Sequence, residues 1–157
     1  MLERRFSARV EIAREPGEVF AWVADHRNVA RVLDGVRRWQ PLSGRDRGTG
    51  ARFDVVVGMM GLHLESVLVL DTWDEPRAIG WRSESGPVSQ SGAWRFEAGP
   101  GGTAVSLGIR YLPPGGALGS LLAGQVEGLA RARLEDALER MKEILEAEPH
   151  RTAQGGN

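Results

Sequence analysis

Short segments of alternating apolar and polar residues follow one another from residue 36 to residue 111, with short turns between them. Val105, Leu107, Ile109 and Tyr111 form one such segment, and "DEPR" and "AGPGG" are typical turn sequences. Period two indicates strands with one buried face, and short connections indicate antiparallel pairing. A sheet with one apolar face needs a covering layer, and this need constrains the fold more than any other feature.

The only segment long enough to cover this sheet runs from Pro113 to Leu145 and reads as one long helix. Its first half contains five glycines, and each interior glycine costs a helix roughly 1 kcal/mol relative to alanine. They are Gly115, Gly116, Gly119, Gly124 and Gly128. They allow close packing of the helix on the sheet, or they make this half a looser lid beside a cavity mouth, and the two interpretations are compatible.

Two apolar stripes lie along this helix and are offset by very roughly a quarter turn. One contains Leu134, Ala137, Leu138, Met141 and Leu145, and the other contains Leu118, Leu122, Val126 and Leu129. A straight helix cannot bury both stripes fully against one sheet. The sequence therefore predicts a bend or break between Gly124 and Gly128, because kinks often occur at glycine.

The N-terminal segment predicts a strand over residues 6–12, followed by a helix that begins at Pro16 and a short helix over residues 28–33. A further strand follows over residues 36–42. The fold class is therefore α+β, with a curved antiparallel sheet of about six to seven strands around the C-terminal helix. We expect a single domain over residues 1–147 and a disordered polar tail over residues 148–157.

The composition excludes several kinds of function. The chain has 157 residues, a formal net charge of −1 and no cysteine. The absence of a basic excess argues against nucleic-acid binding, and the absence of cysteine excludes disulfides and thiolate metal sites. The three histidines are scattered, so no metal site is expected. No cofactor is expected either. No segment has the length of a membrane span and none resembles a signal peptide, so we expect a cytoplasmic protein.

The order of elements resembles the START-like superfamily, also called SRPBCC, which includes polyketide cyclases and lipid-transfer domains. The matching segments are "AREPGEVFAWVADHRNVARVLDGVRRWQPL", the Gly-Thr-Gly before Phe53, "VLDTWDEPRAIGWRS" and "ARLEDALERMKEIL". The resemblance implies the helix-grip fold, with an apolar cavity between the sheet and the C-terminal helix. It also implies that the chain binds or transports an apolar small molecule such as a lipid, a polyketide or a quinone-like compound.

Eight residues are candidates for lining such a cavity, because they lie on apolar faces of strands or on the apolar side of the helix. They are Trp81, Trp94, Phe96, Tyr111, Leu118, Leu122, Gln125 and Leu129. Tyr111 and Gln125 would orient the ligand. For the aromatic residues, the alternative is an ordinary core position. For Gln125, it is partial exposure.

A polyketide cyclase or aromatase-like dehydratase is the alternative function, and it requires an internal acid–base group. His63 and Glu65 share one face of a predicted strand and are the only reasonable pair. Leu62, Leu64, Leu68 and Leu70 occupy the opposite parity and are the better inward set, which would leave the pair on the outer face. Val67 and Val69 share the parity of His63, so both orientations of the strand stay open. Asp25 and His26 end the first helix, where they would cap it or be solvated.

A regulatory interaction module is the third possibility. Met59 and Met60 lie at the expected tip of a hairpin, where apolar side chains contact a ligand, the cavity rim or a partner protein. The alternative is that the tip folds back onto the protein. A homodimer or a protein partner therefore stays open.

Overall fold

The computed structural model describes residues 3–113 and 116–148, with the side chains of residues 116–123 outside the description. The elements in chain order are β1 (Arg4–Ile12), α1 (Pro16–Ala24), α2 (His26–Val32), β2 (Val36–Pro41), β3 (Arg52–Met59), β4 (Leu62–Asp74), β5 (Ala78–Ser85), β6 (Gln90–Gly99), β7 (Gly102–Tyr111) and α3 (Gly116–Ala147). The second short helix begins two residues earlier than the sequence predicts, because Asp25 accepts a hydrogen bond from the Arg27 amide and caps it.

The seven strands form one curled antiparallel sheet in the order β1-β7-β6-β5-β4-β3-β2. Strands β2 to β7 pair with their chain neighbours, and β1 pairs with β7 along its whole length. Met60 and Gly61 form the turn between β3 and β4 with φ values of 51° and 81°, which is the geometry of a two-residue hairpin turn. The predicted fold class is confirmed, with seven strands and a long C-terminal helix.

One stripe of α3 closes the core, and it is the stripe that the sequence predicts. Leu134, Ala137, Leu138, Met141 and Leu145 are each at most 4% exposed. They belong to the same apolar cluster as the inward residues of β1 and the buried face of α1. Burial of this stripe is the main apolar contact between the helix and the sheet.

Polar contacts hold α3 to both sides of the sheet. On the β1 side, Glu127 accepts hydrogen bonds from Arg4 Nε at 2.8 Å and from the Tyr111 hydroxyl at 3.0 Å. On the β3 side, Arg133 Nη1 donates to the Gly58 carbonyl at 2.7 Å. The helix is therefore tied at these positions to strands from both halves of the sheet.

The C-terminal half of α3 has its own polar contacts. Arg140 pairs with Asp34 at 2.8 Å and also donates to the Val32 carbonyl, which fixes the end of α2. Lys142 Nζ donates to the Glu11 carbonyl on β1 at 2.7 Å. Because these contacts are partly exposed, they contribute little to stability, and their main effect is to fix the position of α3 along α2 and β1.

The glycines of α3 do not interrupt it. The helix is continuous from Gly116 to Ala147, so the predicted break between Gly124 and Gly128 is wrong, and a bend stays a prediction. A Cβ atom built on either glycine has nothing within 4 Å, and both residues are exposed. Close packing on the sheet therefore does not explain these two glycines. The predicted lid lies mostly outside the described side chains.

Gly124 and Gly128 of α3 have the G-x-x-x-G spacing found where membrane helices pair. In the described part of the chain, no helix has both the length and the apolar character that crossing a bilayer requires.

Truncation of Leu138 tests the importance of the α3 stripe. Leu138 is 1% exposed, so Leu138→Ala should lower the free energy of unfolding by about 2–5 kcal/mol through lost burial and a cavity. Urea denaturation measures the change. The exposed Glu139→Ala on the same helix is the control and should change stability by less than about 0.5 kcal/mol. Equal changes in stability for the two variants would contradict the assignment of Leu138 to the buried stripe.

Alanine at the exposed glycines of α3 tests whether they are needed for the fold. Because a new Cβ meets no neighbour, Gly124→Ala and Gly128→Ala should each raise the free energy of unfolding by about 0.5–1 kcal/mol. Thermal and urea unfolding measure this. A loss of stability in either variant would show that the glycine conformation is required.

Candidate functional site: a tryptophan-lined cavity

A small apolar cavity of about 70 Å³ lies between the inner face of the sheet and helices α1 and α2. Its walls include Phe53, Leu68, Leu70 and Val29, and four tryptophans: Trp39, Trp73, Trp81 and Trp94. Ligand sites for drug-sized molecules span about 300–1,000 Å³, so the cavity in this arrangement holds only a small group.

A β-bulge in β4 brings Trp73 to the cavity. Leu70 pairs with Trp81, and Thr72 pairs with Gly80, the residue before Trp81 in β5. Asp71 is therefore an extra residue in β4 with no partner of its own in β5. The extra residue changes the parity of the strand. Leu70 before the bulge and Trp73 after it therefore both line the cavity.

A glycine opposite Trp81 makes room for the indole ring. Gly92 pairs with Trp81 across β5 and β6, and a Cβ atom on Gly92 would lie 2.6 Å from Cη2 of Trp81. Any side chain at this position would displace the ring. Trp81 Nε1 donates to Gln90 Oε1 at 3.2 Å, which fixes the other edge of the indole.

Two buried nitrogens at the cavity lack hydrogen-bond partners among the described residues. They are Nδ1 of His26 and Nε1 of Trp39, and both residues line the cavity. The His26 side chain is 11% exposed, with its ring 5.1 Å from that of Phe53 and Nδ1 3.8 Å from a carboxylate oxygen of Asp46. Buried polar groups usually find a partner, so this pair marks a place where a polar ligand group would be stabilised.

Burial of the imidazole lowers the pKa of His26 from its ordinary value. The carboxylates of Asp46 and Asp25 oppose this change, whereas the positive charges of Arg27 and Arg47 add to it. Because the net shift is downward, His26 is neutral at pH 7. A neutral imidazole accepts or donates one hydrogen bond at Nδ1, and the Trp39 indole N–H donates one.

The structure brings only part of the predicted ligand-binding set to this cavity. Trp81 and Trp94 line it. Phe96 is 2% exposed and packs against Phe20 in the main core, with Trp94 stacked beside it. The role of Trp81, Trp94 and Phe96 in ligand binding stays a prediction.

The predicted residues near α3 lie elsewhere. The Tyr111 hydroxyl is held by Glu127, Gln125 is exposed and Leu129 is half-buried. Exposure of Gln125 is the alternative that the sequence left open, and its role in orienting a ligand stays a prediction. The side chains of Leu118 and Leu122 lie outside the described residues.

The candidate acid–base pair does not reach the cavity. His63 and Glu65 are both exposed on the outer face of β4, and Glu65 pairs with Arg38 at 2.8 Å. Leu68 and Leu70 take the inward positions, as the opposite parity of β4 requires. The assignment of His63 and Glu65 as catalytic residues is therefore wrong, because β4 turns both side chains to solvent.

Sequence reasoning missed several residues that line the cavity, among them His26, Trp39, Asp46 and Trp73. Asp25 caps the end of α1, as expected, and its side chain also caps the start of α2. The expectation that His26 caps the helix or is solvated is wrong, because its ring packs on Phe53. Asp46 belongs to the loop "SGRDRGTG", which has no periodicity from which a contact is readable. A histidine next to an N-cap aspartate, one turn before Val29, was the only available signal.

The hairpin tip is exposed on one side. Met60 is 51% exposed, whereas Met59 is half-buried within β3. Leu62 at the start of β4 is 62% exposed, so its predicted inward position is wrong. A partner at this tip stays a prediction. In the described ranges, no group of three or more histidine or acidic side chains has an arrangement suited to a metal ion.

The sequence profile of one family, described as polyketide cyclase / dehydrase and lipid transport, matches residues 3–146. No protein of curated function matches the sequence.

Solved structures with a similar fold cover nearly the whole chain. TTHA0849 from Thermus thermophilus shares 23% identity with a TM-score of 0.77, over 94% of this chain and 100% of its own. A START superfamily protein from Mycobacterium smegmatis shares 21% identity with a TM-score of 0.67, over 90% and 98%. The ZhuI aromatase/cyclase from Streptomyces sp. R1128 shares 23% identity with a TM-score of 0.63, over 92% and 90%. At these identities the likeness shows the fold alone.

Protonation of His26 should destabilise the protein. Because its folded-state pKa lies below the unfolded value of about 6.5, the unfolded state binds the proton more readily. The stability associated with this group is present at higher pH and is lost as the pH falls below about 6.5. His26→Gln should therefore show a smaller loss of stability between pH 7.5 and about 5.5 than the unaltered protein.

Chemical denaturation at several pH values measures this dependence. His63→Gln is the matched control, since its side chain is exposed, and it should keep the pH dependence of the unaltered protein. If His63→Gln flattens the curve and His26→Gln does not, the burial argument fails.

Proposed function

Since the chain belongs to the polyketide cyclase / dehydrase and lipid transport family, we propose that it binds an apolar small molecule in the tryptophan-lined cavity. The observation that carries this proposal is an apolar cavity whose wall contains two buried nitrogens without hydrogen-bond partners among the described residues. Such a wall fits a ligand that is apolar over most of its surface and has one hydroxyl or carbonyl group.

The tryptophans supply most of the contact surface. Large rigid aromatic side chains bury much area, and apolar burial contributes roughly 25 cal/mol per Å² before ordering costs. Planar ligand rings are favoured because the indoles present flat faces and edges. A polar group of the ligand then accepts from Trp39 Nε1 or bonds to His26 Nδ1.

The volume of the cavity limits what fits without movement. A space of about 70 Å³ holds at most part of a ring, so even one full ring requires its walls to yield slightly. A lipid, a polyketide or a quinone-like molecule needs more, by displacement of α1, α2 or the loop that carries Asp46. Binding of such a ligand would therefore be coupled to opening of the cavity.

An enzymatic function is the second candidate, and His26 favours it. A neutral imidazole beside the Asp46 carboxylate is a proton acceptor whose conjugate acid the carboxylate stabilises. This arrangement suits abstraction of a proton next to a carbonyl, as cyclisation and dehydration require. Turnover of a bound compound would distinguish an enzyme from a binding protein.

Titration with phenol and toluene tests the binding proposal, because the two rings differ only in one polar group. Phenol should bind more tightly by about threefold to tenfold, the net contribution of one hydrogen bond. Trp39→Phe removes the N–H and should reduce this preference. Ligand-observed NMR or calorimetry measures both affinities, and native mass spectrometry of the purified protein reveals any molecule that it retains.

A cavity-filling variant provides the control. Val29→Phe adds a ring at a residue that lines the cavity and should weaken the binding of both compounds at least about tenfold, while Val67→Phe on the outer face should not. A thermal melt establishes that each variant is folded. Undiminished binding by a folded Val29→Phe protein would exclude this cavity as the site.

A further inference from the structure

Three rows of side chains cross the outer face of the sheet, on the side away from the cavity. The strand registers place the members of each row opposite one another on β1, β7, β6 and β5. The first row is Arg5, Arg110, Ser91 and Arg82. The second is Ser7, Gly108, Ala93 and Gly80. The third is Arg9, Ser106, Arg95 and Ala78.

The middle row consists only of small residues, so it forms the floor of a depression of about 720 Å³. Arg5 and Arg110 lie on one rim, and Arg95 lies on the other. A Cβ atom on Gly108 would meet only Cβ of Ser7, at 4.0 Å, so the space above the floor is open. We call this depression the basic trough.

The arginines of the basic trough are poorly neutralised. Within the described ranges, neither Arg95 nor Arg110 has a carboxylate within ion-pair distance, whereas Arg4, Arg38 and Arg52 elsewhere are paired at 2.7–2.8 Å.

Arg5 contacts Glu3 at 3.3 Å. Among the described residues, Asp71 is the one carboxylate that lines the trough, and it accepts a hydrogen bond from the Thr72 hydroxyl. The whole chain has a formal charge of −1, so this positive surface is a local concentration rather than a general property.

We propose that the basic trough binds an extended acidic segment of a partner protein. The trough crosses four strands about 4.8 Å apart, which gives a length of roughly 14 Å, or about four residues of extended chain. Successive side chains of an extended chain point to opposite sides. Consecutive acidic residues would therefore direct carboxylates alternately to Arg110 on one rim and Arg95 on the other.

The shape favours a peptide over an anionic membrane surface. None of the exposed large apolar side chains in the described ranges, which are Leu42, Met60, Leu62 and Leu112, lines the trough, so it offers no group for insertion into a bilayer. The positive charges also flank a recess, which an extended chain enters and a flat surface does not. This site lies on the opposite face of the sheet from the cavity and does not depend on the proposed ligand.

Fluorescence anisotropy with a labelled hexaglutamate peptide and the 157-residue chain tests the proposal at low and at physiological salt. The Arg95→Gln/Arg110→Gln protein should bind at least about fivefold more weakly. The matched control is Arg31→Gln/Arg37→Gln, which removes the same charge from exposed positions on α2 and β2 and should change affinity less than about twofold.

Gly108→Val separates shape from charge. It fills the floor of the trough without changing any charge, and valine suits a strand, so the protein should fold and bind the peptide at least about fivefold more weakly. Equal losses in the two double variants, or full binding by a folded Gly108→Val protein, would overturn the proposal. So would binding to vesicles of phosphatidylserine and phosphatidylcholine in the absence of peptide binding.

Discussion

The burial of one stripe of α3 against the curled sheet is the contact on which the remaining structure depends. The apolar face of a seven-stranded antiparallel sheet needs a covering layer that shields it from water. Helix α3 supplies this layer and, together with the sheet and α1, encloses the main core. Met141 and Leu138, at 0% and 1% exposed, lie at the centre of this layer. The outer face of the sheet does not take part in this packing, so it can carry charged side chains.

The sequence predicts what periodicity determines and misses what depends on irregularity. The strands, their antiparallel order and the buried stripe of α3 follow from residues such as Val105 and Leu138, whose spacing reflects one buried face. The positions of Trp73 and His26 do not follow. A bulge at Asp71 shifts the alternation of β4 by one residue and so turns Trp73 inward, and loop residues bring Asp46 to His26. Neither feature has a periodic signal in the sequence.

The candidate cavity illustrates a conflict between stability and recognition. An apolar wall that contains two buried nitrogens with no hydrogen-bond partner in the described part of the chain is less stable than a fully apolar wall of the same shape. Such groups persist in proteins where a bound molecule satisfies them, since binding then removes the cost. The downward shift in the pKa of His26 is a second expression of the same poorly hydrated surroundings.

The placement of the tryptophans has an optical consequence. Four of the five tryptophans of the chain line one cavity, and the fifth, Trp22, lies on α1 outside it. Indole emission responds to the polarity of its surroundings and to nearby rings that quench it. The intrinsic ultraviolet fluorescence of this protein should therefore be dominated by the cavity walls, so the unlabelled molecule would itself report whether the cavity is occupied.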